Sequence, residues 1–97
     1  MTMAFEIIMQ KKCEKFMQKL EMANPKEHYR IHRFISQTLC RVDNPLKLHN
    51  CKAIVGSKYY YRWRLGDYRL IGDAEQNGKI IIVRVENKGD TTYKKGL

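Results

Sequence analysis

The stretch that decides the fold is Tyr60-Tyr61-Arg62-Trp63-Arg64-Leu65-Gly66-Asp67-Tyr68-Arg69. It predicts two β-strands around a tight turn, because Gly66-Asp67 places glycine at the first central position of a two-residue loop, as a type II′ hairpin turn requires. This turn sets Arg64 opposite Arg69, and side chains alternate along a strand, so Arg62, Arg64 and Arg69 share one face. Like charges opposite each other destabilise a sheet by a few tenths to about 1 kcal/mol per pair. The arrangement therefore favours the binding of a polyanion over a gain in stability.

The remaining elements follow from periodicity and from turn and capping residues. We expect a strand at 4–9, a helix at about 11–22, and a second helix that begins after an Asn24 N-cap and runs to about residue 42. Asn44-Pro45 ends that helix, and 45–57 is expected to be an irregular connection. Further strands are expected at 58–65, 67–74 and 79–87, with a type I′ turn at Asn77-Gly78. The chain is thus predicted to be a single α+β domain over 1–97 with the order β-α-α-β-β-β, an N-terminal strand and an antiparallel helix pair packed on one face of a small antiparallel sheet.

Carrying the register through both turns predicts a sheet with two different faces. The core face, which the helices would cover, is predicted to hold Tyr61, Trp63, Leu65, Tyr68, Leu70, Ile81, Val83 and Val85. The open face is predicted to hold Tyr60, Arg62, Arg64, Arg69, Ile71, Asp73, Ile82, Arg84 and Glu86. In this register Arg69 lies opposite Glu86, and we expect these two side chains to pair.

Composition narrows the classes of partner. Lys and Arg outnumber Asp and Glu by 19 to 10 over 97 residues, which gives a net charge of +9. Such a charge favours nucleic acid or an acidic protein as partner, and a solvated basic surface without a specific partner is the alternative. No apolar run approaches the roughly 18–20 residues of a membrane span, and the N-terminus lacks the features of a signal peptide. We therefore expect a cytoplasmic protein with no membrane partner.

Cysteines and histidines do not form a recognisable metal site in the sequence. The three cysteines have no metal-ligand spacing and are expected to be free thiols. His28 and His32 share a helix face, but Tyr29 stands where a zinc protease has its catalytic Glu, and no third ligand is evident. We expect neither a metal nor a cofactor.

The arginine cluster fits a particular reaction. Guanidinium groups offer paired donors to phosphate oxygens and stay charged, and preorganised cations stabilise the phosphorane that forms when a 2′-hydroxyl attacks an RNA backbone. A general acid and base are harder to identify. Tyr93, Tyr60, Lys88 and His49 remain alternatives.

Three stretches resemble the RelE/ParE toxin superfamily. They are Tyr61-Arg62-Trp63-Arg64-Leu65-Gly66-Asp67-Tyr68-Arg69-Leu70-Ile71, Ile80-Ile81-Ile82-Val83-Arg84-Val85, and Asn87-Lys88-Gly89-Asp90-Thr91-Thr92-Tyr93, which is similar to the family's His-Arg-x-Asp-x-Tyr ending. The resemblance implies a toxin of a bacterial toxin–antitoxin pair. Its RelE branch cuts messenger RNA in the ribosomal A site, whereas its ParE branch inhibits DNA gyrase.

The resemblance also implies roles for individual residues. Residues matching the family's catalytic positions are Arg62, Arg64, Arg69, Lys88 and Tyr93, and we expect Lys52, Lys58, Tyr60 and Arg84 to contact RNA. The leading hypothesis is a ribosome-dependent messenger endoribonuclease without a small-molecule substrate, neutralised by a cognate antitoxin protein. A ParE-like gyrase inhibitor and a non-catalytic basic nucleic-acid-binding domain are the alternatives.

Overall fold

Residues 5–87, which the computed structural model describes, form one five-stranded sheet and a pair of helices. The strands are β1 (Glu6–Met9), β2 (Cys51–Ala53), β3 (Tyr60–Leu65), β4 (Tyr68–Asp73) and β5 (Lys79–Asn87), and the helices are α1 (Lys11–Ala23) and α2 (Pro25–Phe34). The spatial order of the strands is β1-β5-β4-β3-β2. No helix within the described part of the chain has the length and apolar character needed to cross a membrane.

The predicted α+β class is confirmed, and two details of the sheet differ from expectation. β1 pairs with β5 in parallel, with Ile7 opposite Ile80, so the sheet is mixed rather than wholly antiparallel. The segment 45–57 is not wholly irregular, because it contains a 3₁₀ turn (Pro45–Lys47) and the short edge strand β2. β2 pairs antiparallel with β3 and extends the open face by one strand.

The helix pair is organised at Asn24. Its backbone N–H donates to the Leu20 carbonyl at 2.7 Å and closes α1, while its side-chain oxygen accepts from the Glu27 backbone N–H at 3.4 Å and caps α2. Beyond α2 the chain continues as a π-helical turn over Ile35–Leu39, and it leaves the helix three residues before the expected end. In this turn the Cys40 backbone N–H reaches the Ile35 carbonyl at 3.1 Å.

The core lies between the helices and one face of the sheet. Its buried members are Cys13, Met17, Leu20, Ile31, Leu39, Trp63, Tyr68, Leu70, Ile80, Ile82 and Val85. Trp63 is fully buried, and its indole N–H donates to the Pro45 carbonyl at 3.0 Å. This bond satisfies the polar atom that burial of the ring would otherwise leave unpaired.

The first hairpin has the predicted register. Arg64 lies opposite Arg69, and Arg62 lies opposite Ile71. A type II′ turn requires a positive φ at its first central residue and a negative φ at its second. Gly66 has a φ of +58°, and Asp67 does not have a positive φ.

The second hairpin departs from its predicted register. Arg69 faces Glu86 as expected, but a β-bulge between Ile71 and Gly72 brings Gly72 opposite Ile82. The assignment of Ile81 and Val83 to the core is therefore wrong, and so is that of Ile82 to the open face. Ile80 and Ile82 are the fully buried residues of this part of β5. The turn itself is not type I′, because Gly78 has a φ of +79° and Asn77 does not have a positive φ.

Gly72 lets the core close at the bulge. A Cβ at this position would lie 2.7 Å from Cγ2 of Ile80 and 2.8 Å from Cζ3 of Trp63. The fully buried indole ring thus occupies the space that a side chain at 72 would need.

We expect Gly72→Ala to lower the free energy of unfolding by about 1–3 kcal/mol, because the added methyl group overpacks the core. Urea denaturation of both proteins measures the difference. Gly78→Asn is the control, since Asn tolerates a positive φ and nothing lies within 4 Å of a Cβ at 78. Equal stability of Gly72→Ala and the wild type would show that Trp63 and Ile80 move aside at no cost.

Candidate nucleic-acid interface

The open face of the sheet carries a row of paired residues across four neighbouring strands, with cations on three of them and Ile71 on the fourth. Lys52 on β2 pairs with Arg62 on β3, Arg62 with Ile71 on β4, and Ile71 with Arg84 on β5. Because paired strands are about 4.8 Å apart, the row from Lys52 to Arg84 is roughly 14 Å long. This row lies opposite the face that the helices cover.

A groove at the β2–β3 side of this face, here called the cationic groove, collects several of these side chains. Its volume is about 380 Å³, and it is lined by His49, Asn50, Lys52, Arg62, Arg64 and Gly66. Asn50 holds the preceding loop against β3, because its side-chain Nδ2 donates to the Arg64 carbonyl at 3.0 Å and its own carbonyl accepts from the Arg64 N–H at 3.0 Å. His49 is thereby placed beside the arginines.

Glu86 organises the arginines nearest the C-terminal end of β5. Its Oε2 accepts a hydrogen bond from Arg69 Nε, which confirms the expected pair, and its Oε1 lies 3.4 Å from Arg84 Nη1. The exposed side-chain fractions are 14% for Glu86, 30% for Arg69 and 61% for Arg84. Arg69 is therefore held in orientation by a largely buried carboxylate, while Arg84 reaches into solvent.

The other predicted site residues lie apart from the cationic groove: in a second groove, in the β2–β3 loop, or outside the described residues. Tyr60 is 42% exposed and lines a second groove with Arg84, at the β5 side of the open face. Lys58 lies in the β2–β3 loop with its Nζ 5.8 Å from the centre of the Tyr59 ring, and it does not line the cationic groove. Lys88 and Tyr93 lie outside the described residues.

Two residues that line the cationic groove, His49 and Asn50, could not be assigned to it from the sequence. The sequence offers His49 as one of several alternatives for a proton carrier, and in the structure it lines the same groove as Arg62 and Arg64. Asn50 was missed, because its role depends on a long-range bond to β3 and no local pattern signals such a bond. Asparagine is common in turns, and this preference is the only local indication that Asn50 gives.

The cysteines are free thiols, and two of them have raised pKa values. Burial raises the pKa of Cys51 to about 11, although the nearby positive charge of Arg62 opposes the shift. Burial also raises the pKa of Cys13, whose Sγ–H donates to the Ile82 carbonyl at 3.5 Å. Both thiols therefore stay protonated near neutral pH and are poor nucleophiles.

His28 and His32 stack on the surface of α2 with parallel rings whose centres are 5.9 Å apart. Within residues 5–87, no three side chains of the His, Cys, Asp or Glu type are grouped to hold a metal ion.

No family model matches the sequence, and no curated protein matches it at a significant level. Solved structures that share its fold include chains of two toxin–antitoxin complexes. A chain of the toxin–antitoxin complex RelBE2 from Mycobacterium tuberculosis is 19% identical with a TM-score of 0.68, over 87% of this chain and 98% of that chain. A chain of the archaeal RelE–RelB complex from Pyrococcus horikoshii OT3 is 24% identical with a TM-score of 0.68, over 91% of this chain and 99% of that chain. The fold implied by the resemblance to the RelE/ParE superfamily is therefore confirmed.

We expect Arg64→Ala to leave the free energy of unfolding unchanged or to raise it by up to about 1 kcal/mol, because Arg64 is exposed and lies opposite Arg69. Arg69→Ala should lower it by about 0.5–1 kcal/mol, since Glu86 loses its nearer partner. Urea denaturation in low salt distinguishes the two. A loss well above 2 kcal/mol in Arg64→Ala would mean that this side chain supports the fold rather than a ligand.

The raised pKa of Cys51 predicts a pH dependence. In the unfolded chain the thiol ionises near its ordinary pKa, whereas in the folded protein it ionises near 11, so its stabilising effect is complete below about pH 8 and is lost as the pH rises toward 11. Wild type should lose roughly 1–2 kcal/mol more stability than Cys51→Ala between pH 8 and 11. Parallel stability curves for the two proteins would contradict the assignment.

Proposed function

We propose that this chain is the toxin of a toxin–antitoxin pair and that it cleaves messenger RNA bound in the ribosomal A site. The observation that carries the proposal is the gathering of Arg62, Arg64 and Arg69 on one helix-free face. The fold shared with chains of two RelBE complexes supports the same reading.

The proposed reaction is attack of a ribose 2′-oxygen on the adjacent phosphorus. The bond from the 2′-oxygen to phosphorus forms, the bond from phosphorus to the 5′-oxygen breaks, and the products are a 2′,3′-cyclic phosphate and a 5′-hydroxyl. The intermediate phosphorane carries extra negative charge, which Arg62, Arg64 and Arg69 would stabilise. The carboxylate of Glu86 would keep Arg69 oriented toward that charge. Such stabilisation does not require a cofactor.

The reaction also needs a base that accepts the 2′-hydroxyl proton and an acid that protonates the 5′-oxygen. Tyr93 and Lys88 are proposed for these steps by the resemblance. His49 is a further candidate, because it lines the cationic groove together with Arg62 and Arg64 and histidine is the side chain most often used as a general acid or base. Lys52 and Arg84 flank the arginines on the open face and would contact neighbouring phosphates, with Lys58 and Tyr60 extending the RNA contacts.

The proposed partners follow from this role. The protein would act in the bacterial cytoplasm on ribosomes and their messenger, and it would be neutralised by a cognate antitoxin. A net charge of +9 suits both a ribosomal site rich in phosphate and an antitoxin with an acidic binding segment.

Primer extension on a messenger in a purified translation system tests the proposal. Wild-type protein should produce cuts within the A-site codon only when ribosomes are present. Arg62→Ala, Arg64→Ala and Arg69→Ala should each lower the cleavage rate by about 10²–10³, as loss of one donor to a developing oxyanion does. Tyr93→Phe tests the proposed proton carrier.

Arg41→Ala is the matched control, because Arg41 is exposed and its loss changes the net charge equally. It should cut like the wild type. An intact messenger under arrested growth would overturn the endoribonuclease, and a gyrase supercoiling assay would then test the ParE-like alternative. RNA binding without cleavage or growth arrest would indicate a non-catalytic binding domain.

A further inference from the structure

A second groove on the open face, here called the apolar groove, differs in chemistry from the cationic groove. Its volume is about 400 Å³, and it is lined by Gln10, Lys12, Ile54, Tyr60, Ile71, Val83 and Arg84. Three of these side chains are aliphatic and half-buried, one is an exposed tyrosine, and two are exposed cations.

Local backbone structure forms the walls of the apolar groove. The Ile54 backbone N–H donates to the Tyr60 carbonyl at 2.9 Å, which holds Ile54 beside Tyr60. On the opposite side, the bulge inserts Val83 as the extra residue of β5 between the residues that pair with Ile71 and Gly72. Val83, which the sequence pattern assigns to the core, thus completes this groove instead.

The two grooves adjoin within the row of paired residues. Arg62 lines the cationic groove, and its partner across the strands, Ile71, lines the apolar groove. A single-stranded nucleic acid that lay across the sheet from β2 to β5 would therefore contact the cations first and an apolar surface next. Such alternation of charged and aromatic or apolar contacts is how single-stranded nucleic acid is held along its backbone and bases.

We infer that the apolar groove is a subsite for the base of a nucleotide next to the phosphodiester held in the cationic groove. A base offers a flat apolar surface to Ile54, Ile71 and Val83 and a stacking face to Tyr60. Lys12 and Arg84 at the rim would meet its phosphate. Gln10 can pair with the edge of a base, because its side chain does not cap α1.

The rim distinguishes this ligand from an apolar side chain of a protein partner. Arg84 has 61% of its side chain exposed and only a 3.4 Å contact with Glu86, and Lys12 is exposed as well. Two available cations around an apolar floor favour a ligand that is apolar at its centre and anionic at its edge, as a nucleotide is.

The inference rests on the proposed function and is tested without the ribosome. Full-length protein labelled at isoleucine and valine methyl groups is titrated with a dinucleotide that has 2′-O-methyl riboses and cannot be cleaved. The comparison ligand is the same molecule with one base removed. The intact dinucleotide should shift the methyl signals of Ile54, Ile71 and Val83, and the abasic one should shift them far less. Ile31, which is fully buried under the helices, reports on the integrity of the fold.

Variants at Tyr60 supply a second measurement. Tyr60→Ala should weaken binding of the intact dinucleotide about tenfold, and Tyr60→Phe, which keeps the ring, should bind like the wild type. Tyr29→Ala is the control, because Tyr29 is a 62% exposed tyrosine on α2. If Tyr60→Ala fails to fold, the methyl shifts of the wild type decide alone.

Equal shifts with the intact and abasic ligands, or none at millimolar concentration, would overturn the base subsite and leave room for a protein side chain. Base-dependent shifts in a protein that does not cut ribosome-bound messenger would retain the subsite and overturn the proposed nuclease. Cleavage of the messenger without base-dependent shifts would retain the proposed nuclease and overturn the base subsite.

Discussion

The two-residue turn at Gly66-Asp67 is the constraint on which both faces of the sheet depend. It fixes the register of β3 against β4, and strand alternation then sends Trp63 inward between two outward arginines. A slip of one residue would exchange these faces, placing charge in the core and the indole in solvent. Because Trp63 is fully buried and bonded to the Pro45 carbonyl, packing of the core penalises the slip. Core and candidate site are therefore specified by one hairpin.

The features that could be predicted from the sequence are those set by local rules. The first hairpin, the capping of α2 by Asn24, and the pairing of Arg69 with Glu86 all follow from residue types at fixed spacing. The open face could be assigned correctly on β3 and β4 because the turn at Gly66-Asp67 fixes their register, and the arginines at 62, 64 and 69 then mark the side that faces solvent. Roles in binding or catalysis for these residues remain proposals that the described geometry supports.

The features that could not be predicted arise where local patterns are silent. In β5 four aliphatic residues follow one another from Ile80 to Val83, so nothing in the pattern marks the bulge or says which of them face the core. The bulge depends on Gly72 and on the Trp63 ring that fills the space beside it, a contact between three strands. The short strand β2 is likewise held by its pairing with β3 rather than by its own three residues, and the cationic groove forms beside it.

The distribution of charge would also shape how the protein meets a polyanion. The open face holds Lys52, Arg62, Arg64 and Arg84 on neighbouring strands, and the two helices carry seven further Lys and Arg residues. Positive charge therefore surrounds the molecule and would attract a polyanion from several directions. Added salt shortens the reach of this attraction to about 10 Å or less, so that the close spacing of cations on the open face, rather than the net charge, would then decide where the polyanion settles.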